Sequence, residues 1–418
     1  MKNSIKAIAA AAAALTLSFS CVPMTYAVND APAAQAEEEN NGKLEFTVGT
    51  SIETPYNGTA QIVGEDGTIY YTGYDKASTR CLIVYTLDEN GKIKNSYSVD
   101  RYVNGKGEEI GVADSRLKQC GDRIYLIYSE GWQFSTRENV IVELDTELNE
   151  ISKHKYEKGK SVDTNGEKVV YIKRDKIYLC DMDGKNLKML YAVNNSEGNV
   201  EQPLNSVAIA GNYVGFQKRT GYQNDPDRKE YCGIIDIETG EIELHEERSV
   251  EQAHSAGGKL IWYGNPSYYI GDEQDGEVPN DQYWSKHYKY YPTSELYIFD
   301  GEEYSVLKTP NADEIGYGTT IDSGGDIITT TFDGKGHVIY RIYRDKKLIG
   351  EHTVSYKGYC GAVKGNGTIT VNYTGRNSTP DDWIGYDPMT TSYEEIQAMI
   401  DATPAAKDTM KSVTISYK

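Results

Sequence analysis

Seven times along the chain a glycine opens a short run of β-branched or aromatic residues: Gly67 before TIYYTGY, Gly121 before DRIYLIY, Gly166 before EKVVYIK, Gly211 before NYVGFQK, Gly258 before KLIWYG, Gly325 before DIITTTF and Gly367 before TITVNY. The intervals are 54, 45, 45, 47, 67 and 42 residues. Spacing this regular marks a repeated supersecondary unit, and it restricts the fold more than any other feature of the chain. A second strand-like run follows each glycine-led one. In six of the seven units it ends in a turn rich in Asp and Gly, as in CLIVYTLDENG at 81–91, NVIVELDTELN at 139–149 and KIYLCDMDG at 176–184. Such a turn reverses an antiparallel hairpin, and the stretch beyond it, NLKMLYAV or EIELHEE, supplies another strand. The short run before each glycine, such as NSVAIAG at 205–211, brings the count to four strands per unit.

One four-stranded unit cannot cover both of its faces, whereas seven packed radially around a channel can. The sequence therefore predicts an all-β fold over residues 43–418, a seven-bladed β-propeller of four-stranded antiparallel blades. Two separate domains, or eight blades, are the structural alternatives. The last unit is the least regular. Its second run is DDWIGYDP at 381–388, and KLEFTVG at 43–49 and SVTISYK at 412–418 both suit its missing fourth strand, so that joining the two chain ends closes the ring. SYEEIQAMIDA at 392–402 is amphipathic, with Ser392 as N-cap and Pro404 beyond its end, and predicts one short C-terminal helix.

Composition supports a folded β protein. Tyr 35 against Phe 6 suits pleated surfaces with one wet side, and 39% hydrophobic with 25% charged residues excludes a disordered chain. Residues 1–27 have the form of a signal peptide, with Lys2 and Lys6 before an apolar stretch from Ala7 to Phe19 and Thr25-Tyr26-Ala27 at the cleavage position. Lipid anchoring at Cys21 is the alternative, disfavoured by the Ser18-Phe19-Ser20 that precedes it. Residues 28–42 form an acidic, Ala-rich linker. A secreted or cell-surface location follows as an expectation, with no membrane span in the remaining chain and a monomeric state. Losing Lys2 and Lys6 takes the net charge from −20 to −22, which disfavours nucleic acid and anionic lipid as partners. Cys81, Cys120, Cys180, Cys232 and Cys360 remain after processing, far apart and none in a CxxC, so zinc and dithiol chemistry are not expected. Buried free thiols are the simplest reading, with one disulfide as the alternative.

At 164–193, TNGEKVVYIKRDKIYLCDMDGKNLKMLYAV resembles the TolB-type propeller repeat, in which a Gly-led strand, a second strand and a D-x-D-G turn follow in this order. The resemblance implies the propeller fold and a role as a binding platform. Similar repeats also stand beside hydrolase domains, but here the repeats occupy residues 43–418 and leave no length for one.

Loop lengths identify a candidate site. The expanded connections lie between the second and third strands: 71–80, 128–138, 218–231, 264–294 and 374–383. Insertions cost little there, and rigid scaffolds commonly carry function on such loops. The fifth-blade insertion concentrates Tyr268, Tyr269, Tyr283, Trp284, His287 and Tyr288, and neighbouring loops add Trp132, Tyr222 and Trp383, a stacking surface for sugar rings or a peptide. A lid folded over the channel, making its own small core, is the competing explanation. Arg80, Arg137 and Arg228 each stand eight residues before the Asp that ends the third strand, at Asp88, Asp145 and Asp236. They suit either a carboxylate-bearing ligand or structural pairing with carboxylates of the next blade.

The motifs of serine hydrolases, zinc proteases, phosphate-binding loops and dinucleotide-binding folds are absent, as is the Asp-box of sialidase propellers. Acidic pairs such as Asp225 with Asp227 and Asp381 with Asp382 lack a calcium-loop pattern and suit solvated loop positions. No catalytic residue, metal or cofactor is assigned. The function expected is that of a non-catalytic module binding an extracellular glycan, cell-wall component or protein partner through its loop-rich face. A carbohydrate-active propeller enzyme, a polysaccharide lyase or glycoside hydrolase, is the alternative.

Overall fold

The computed structural model describes residues 44–74, 82–99, 102–103, 109–110, 112–130, 138–156, 159, 161–193, 203–221, 229–248, 250–264, 267–269, 288–290, 293–310, 315–321, 325–332, 337–356, 359–374 and 410–418. They form seven four-stranded antiparallel blades, an all-β architecture of the β-propeller class. Blade 1 spans 59–98, blade 2 112–156, blade 3 162–192, blade 4 204–247, blade 5 253–310 and blade 6 315–354. Blade 7 takes 359–373 together with strands from both ends of the chain. The described residues divide into two compact units, a smaller one of 45–99 with 354–418 and a larger one of residue 44 with 100–353.

The seven glycines have one local cause. Each precedes the second strand of its blade, from Ile69–Tyr74 in blade 1 to Thr368–Tyr373 in blade 7. All seven have positive φ, from 53° at Gly211 to 93° at Gly166, in the turn that joins the first and second strands. That backbone conformation costs a residue with a Cβ more than it costs glycine, which explains why the same residue returns at each turn.

The third-to-fourth hairpins are held by aspartates. Asp88 Oδ1 accepts from the backbone N–H of Asn90 and of Lys92, both at 2.9 Å. Asp145 Oδ1 does the same for Glu147 and Asn149, while Asp236 Oδ1 accepts from Glu238 and Thr239 and Asp300 Oδ1 from Glu302 and Glu303. These are Asx turns, in which the side chain replaces backbone partners that the reversal leaves unpaired. Hydrogen bonding holds the carboxyls of Asp88, Asp145 and Asp300 below the usual carboxylate range, at Asp145 above all through the Asn149 side-chain amide, which donates to Oδ2 at 2.9 Å.

Burial follows strand position. The third strand of blade 1, Leu82–Leu87, is buried from Leu82 to Thr86, while its fourth strand, Ile93–Ser98, alternates half-buried and exposed. Central strands are covered on both faces and so lose the polar alternation that the outer strand keeps. In the larger unit, apolar layers fill the spaces between successive blades: Ile127, Ile141 and Val169 between blades 2 and 3, Ile172, Val207 and Phe216 between 3 and 4, and Cys232, Trp262 and Tyr297 between 4 and 5.

Blade 7 corrects the sequence reading. Its third strand is Lys411–Tyr417, paired with Thr368–Tyr373, and its fourth is Phe46–Val48. Both chain ends therefore enter the blade, and DDWIGYDP does not supply its third strand. The C-terminal segment wins because Val413 and Ile415 fit the buried face, at 3% and 0% exposure. Residues 381–388 and the helix expected at 392–402 lie outside the described residues. Among the described residues no α-helix is present, and the one helical turn is the 3-10 turn Pro55–Asn57.

Candidate functional site

Of the residues singled out in the sequence, Arg80, Trp132, Arg137, Tyr222, Arg228, Tyr283, Trp284, His287 and Trp383 lie outside the described residues. Tyr268, Tyr269 and Tyr288 are placed by their backbone: Ser267–Tyr269 pairs antiparallel with Tyr288–Tyr290, with Tyr269 opposite Tyr288. The fifth-blade insertion thus begins and ends in a hairpin of its own. Among the described residues no group of His, Cys, Asp and Glu is disposed to hold a metal ion, and no helix is long and apolar enough to cross a membrane. Cys180 and Cys232 are buried free thiols and Cys120 is a half-buried one. Burial raises all three pKa values.

The larger unit holds a second cluster, which sequence analysis did not predict. Its first strands lie side by side with a constant offset: Ser161 meets Val207, Asp163 meets Ile209 and Asn165 meets Gly211, each 46 residues on. The period of the sequence has become a distance in space. Because these strands run in the same direction, the second-to-third loops of blades 2 to 5 leave the same end of that unit.

Asp163, 5% exposed, is the centre of this cluster. Its Oδ2 accepts from Lys118 Nζ at 2.9 Å, from the backbone N–H of Ile209 at 2.9 Å and from Ser255 Oγ at 3.0 Å. Its Oδ1 accepts from Arg116 Nη2 at 3.3 Å. Burial opposes the charge of Asp163, but Lys118 and Arg116 outweigh it and hold the carboxyl below the usual range. Lys118 also donates to the Ile209 carbonyl at 3.2 Å and to Ser255 Oγ at 2.6 Å, so all three ammonium protons are used. In doing so it reaches from the first strand of blade 2 to that of blade 5. Arg116 Nη2 additionally bonds the Val162 carbonyl, and its side chain is 41% exposed.

His254, next to Ser255 on the first strand of blade 5, completes the cluster. It is half-buried, with its ring 4.9 Å from that of Tyr263. Burial and the nearby Arg116 charge, against a smaller opposite effect of Asp163, push its pKa down to about 4, so it is neutral at pH 7. In the smaller unit the first strand of blade 7 carries Lys364, whose pKa burial lowers to about 7.

The signal for the cluster was present but unused. Arg116 and Lys118 stand at i and i+2, two charges on one face of a strand just ahead of a repeat glycine, where the equivalent positions in blade 4 are the uncharged Ser206 and Ala208. Chemically the network offers cations and hydrogen-bond donors around one fully engaged carboxylate.

No family profile matches the chain, and no curated protein matches it. Among solved structures it is similar to the Pyrococcus horikoshii acylaminoacyl peptidase, at 15% identity and a TM-score of 0.42 over 66% of this chain and 44% of that one. It thus spans less than half the length of the peptidase. It is also similar to the β-propeller domain of the Trilobed protease from Pyrococcus furiosus, at 14% identity, TM-score 0.33, over 62% and 88% of the two chains. BamB from Moraxella catarrhalis is similar at 12% identity, TM-score 0.37, over 88% and 97%. These likenesses concern the fold and carry nothing about activity or partners.

Proposed function

We propose that the chain is an exported, non-catalytic propeller of the TolB-like kind, which binds a glycan, cell-wall component or protein partner outside the cell through its second-to-third loops. The observation that carries this reading is the inequality of the connections within the larger unit. First-to-second and third-to-fourth turns are tight, whereas blade 5 inserts residues 264–292 between Lys259–Tyr263 and Thr293–Phe299, including an extra hairpin. A rigid blade pays little for such an insertion, and its density of Tyr and Trp suits stacking on sugar rings or anchoring a peptide. The signal peptide form of residues 1–27 and the strongly acidic surface support an extracellular partner rather than nucleic acid.

A glycan array together with a pull-down from the parent cell surface, run on the mature chain and on a form lacking 266–292, tests the proposal. Loss of the captured ligand on deletion is expected. Undiminished binding by the deleted form, with its circular dichroism unchanged, would remove the insertion as the site.

A further inference from the structure

We propose that the inner strands of the larger unit form a second binding site, for a ligand carboxylate, with Arg116 as its anchor and His254 beside it. Neutralising Asp163 requires one cation, and the network supplies two. Lys118 alone meets the requirement, with its three protons committed to Asp163, Ile209 and Ser255. Arg116 spends only Nη2, on Val162 and Asp163, so that among the described residues its Nε and Nη1 have no partner while the side chain stays 41% exposed. The surplus is one positive charge, placed inside a chain whose net charge is −20.

That surplus selects the ligand. A monoanion balances it, whereas a phosphate dianion would leave an excess negative charge beside the buried Asp163. His254 adds a neutral imidazole whose ring nitrogens make no hydrogen bond among the described residues, and a neutral ring can donate one N–H to a carboxylate oxygen. Position supports the same reading. Val112, at the start of the first strand of blade 2, is paired with Glu130, where the second-to-third loop leaves. Arg116 stands two residues nearer that end than Lys118, and Lys118 reaches across to blade 5. A ligand arriving from the loop end meets the guanidinium before the lysine. The site shares no residue with the fifth-blade insertion, so each assignment stands without the other.

Calorimetric titration tests it with two matched pairs of probes, glucuronate against glucose and N-acetylalanine against its amide. At least one acid is expected to bind saturably and about tenfold or more tighter than its neutral partner, the pair that responds telling a sugar acid from a peptide terminus. Arg116→Gln should abolish the preference, Arg116→Lys should keep part of it, and deletion of 266–292 should leave it intact. If Arg116→Gln does not fold, the Arg116 side-chain NMR signal of the unaltered chain should still shift with the acid and not with the neutral probe. Equal binding of acid and neutral probes, no saturable acid binding, a folded Arg116→Gln chain that keeps the preference, or its loss on deleting 266–292 would each overturn the proposal.

Discussion

Asp163 illustrates how one side chain ties strands that the sequence keeps far apart. It links the first strands of blades 2, 3, 4 and 5 through Arg116, Lys118, Ile209 and Ser255. Removing one partner of a buried ion pair leaves the other charged and desolvated, so Asp163→Ala should cost about 3 kcal/mol or more in urea denaturation. Asp163→Ala combined with Lys118→Met should cost less than the two changes summed, because the second change removes the stranded ammonium. His254 makes a pH prediction of the opposite kind. Its pKa in the fold, about 4, lies below its ordinary 6.5, so the folded state favours the neutral ring. The contribution is complete above about pH 6.5 and is lost as the pH falls toward 4, where protonation must proceed against Arg116 and with only Asp163 to favour it. His254→Gln should therefore narrow the stability difference between pH 7.5 and pH 4.5. An unchanged difference would show that another group controls that window. None of this was visible residue by residue: His254 is recognisable in the sequence only as a residue ahead of a repeat glycine, and its neighbours come from other repeats.

At the scale of strands and turns, glycine serves two distinct purposes. At Gly211 an added Cβ meets nothing within 4 Å, and the requirement is φ of 53° alone. Gly211→Ala should cost about 1 kcal/mol, and Gly211→Asn less, since Asn tolerates the left-handed region. At Gly233, in the third strand of blade 4, the backbone is ordinary but a Cβ would overlap the ring of Phe216. Gly233→Ala should cost about 1–3 kcal/mol, and Phe216→Leu should recover part of the loss in the double variant. Thermal denaturation of the four proteins checks both. The first kind of glycine is legible in the sequence because a turn is local and recurs with the repeat. The second kind is not, because only cross-strand packing places Phe216 against position 233. Similarly, the hairpin aspartates were readable as turn residues, whereas Trp262, whose Nε1 donates to the Phe216 carbonyl at 3.1 Å across to blade 4, looked like any other apolar strand position.

For the molecule as a whole, blade 7 carries a particular dependence on the chain ends. Lys411–Tyr417 lies between Thr368–Tyr373 and Phe46–Val48, with Ile415 opposite Val48 on one side and Ile369 on the other. Truncation before Lys411 removes the middle of that sheet and leaves both neighbours with an unpaired edge. Such a chain should aggregate on expression, while removal of residues 1–27 should leave the melting temperature unchanged. Aggregation is measured by size-exclusion chromatography, and a soluble, cooperatively melting truncation would contradict this account. The sequence alone carried the sevenfold repeat, the order of strands within the first six blades and the residues that turn between them, since strand alternation and turn backbone angles are properties of neighbours along the chain. The tertiary structure alone decided that residues 411–417, rather than 381–388, complete the last blade, and that Arg116, Lys118, Asp163 and His254 share one site. Those outcomes depend on burial and on side chains some 45 residues or more apart meeting in space, and no local pattern encodes which of several suitable partners will arrive.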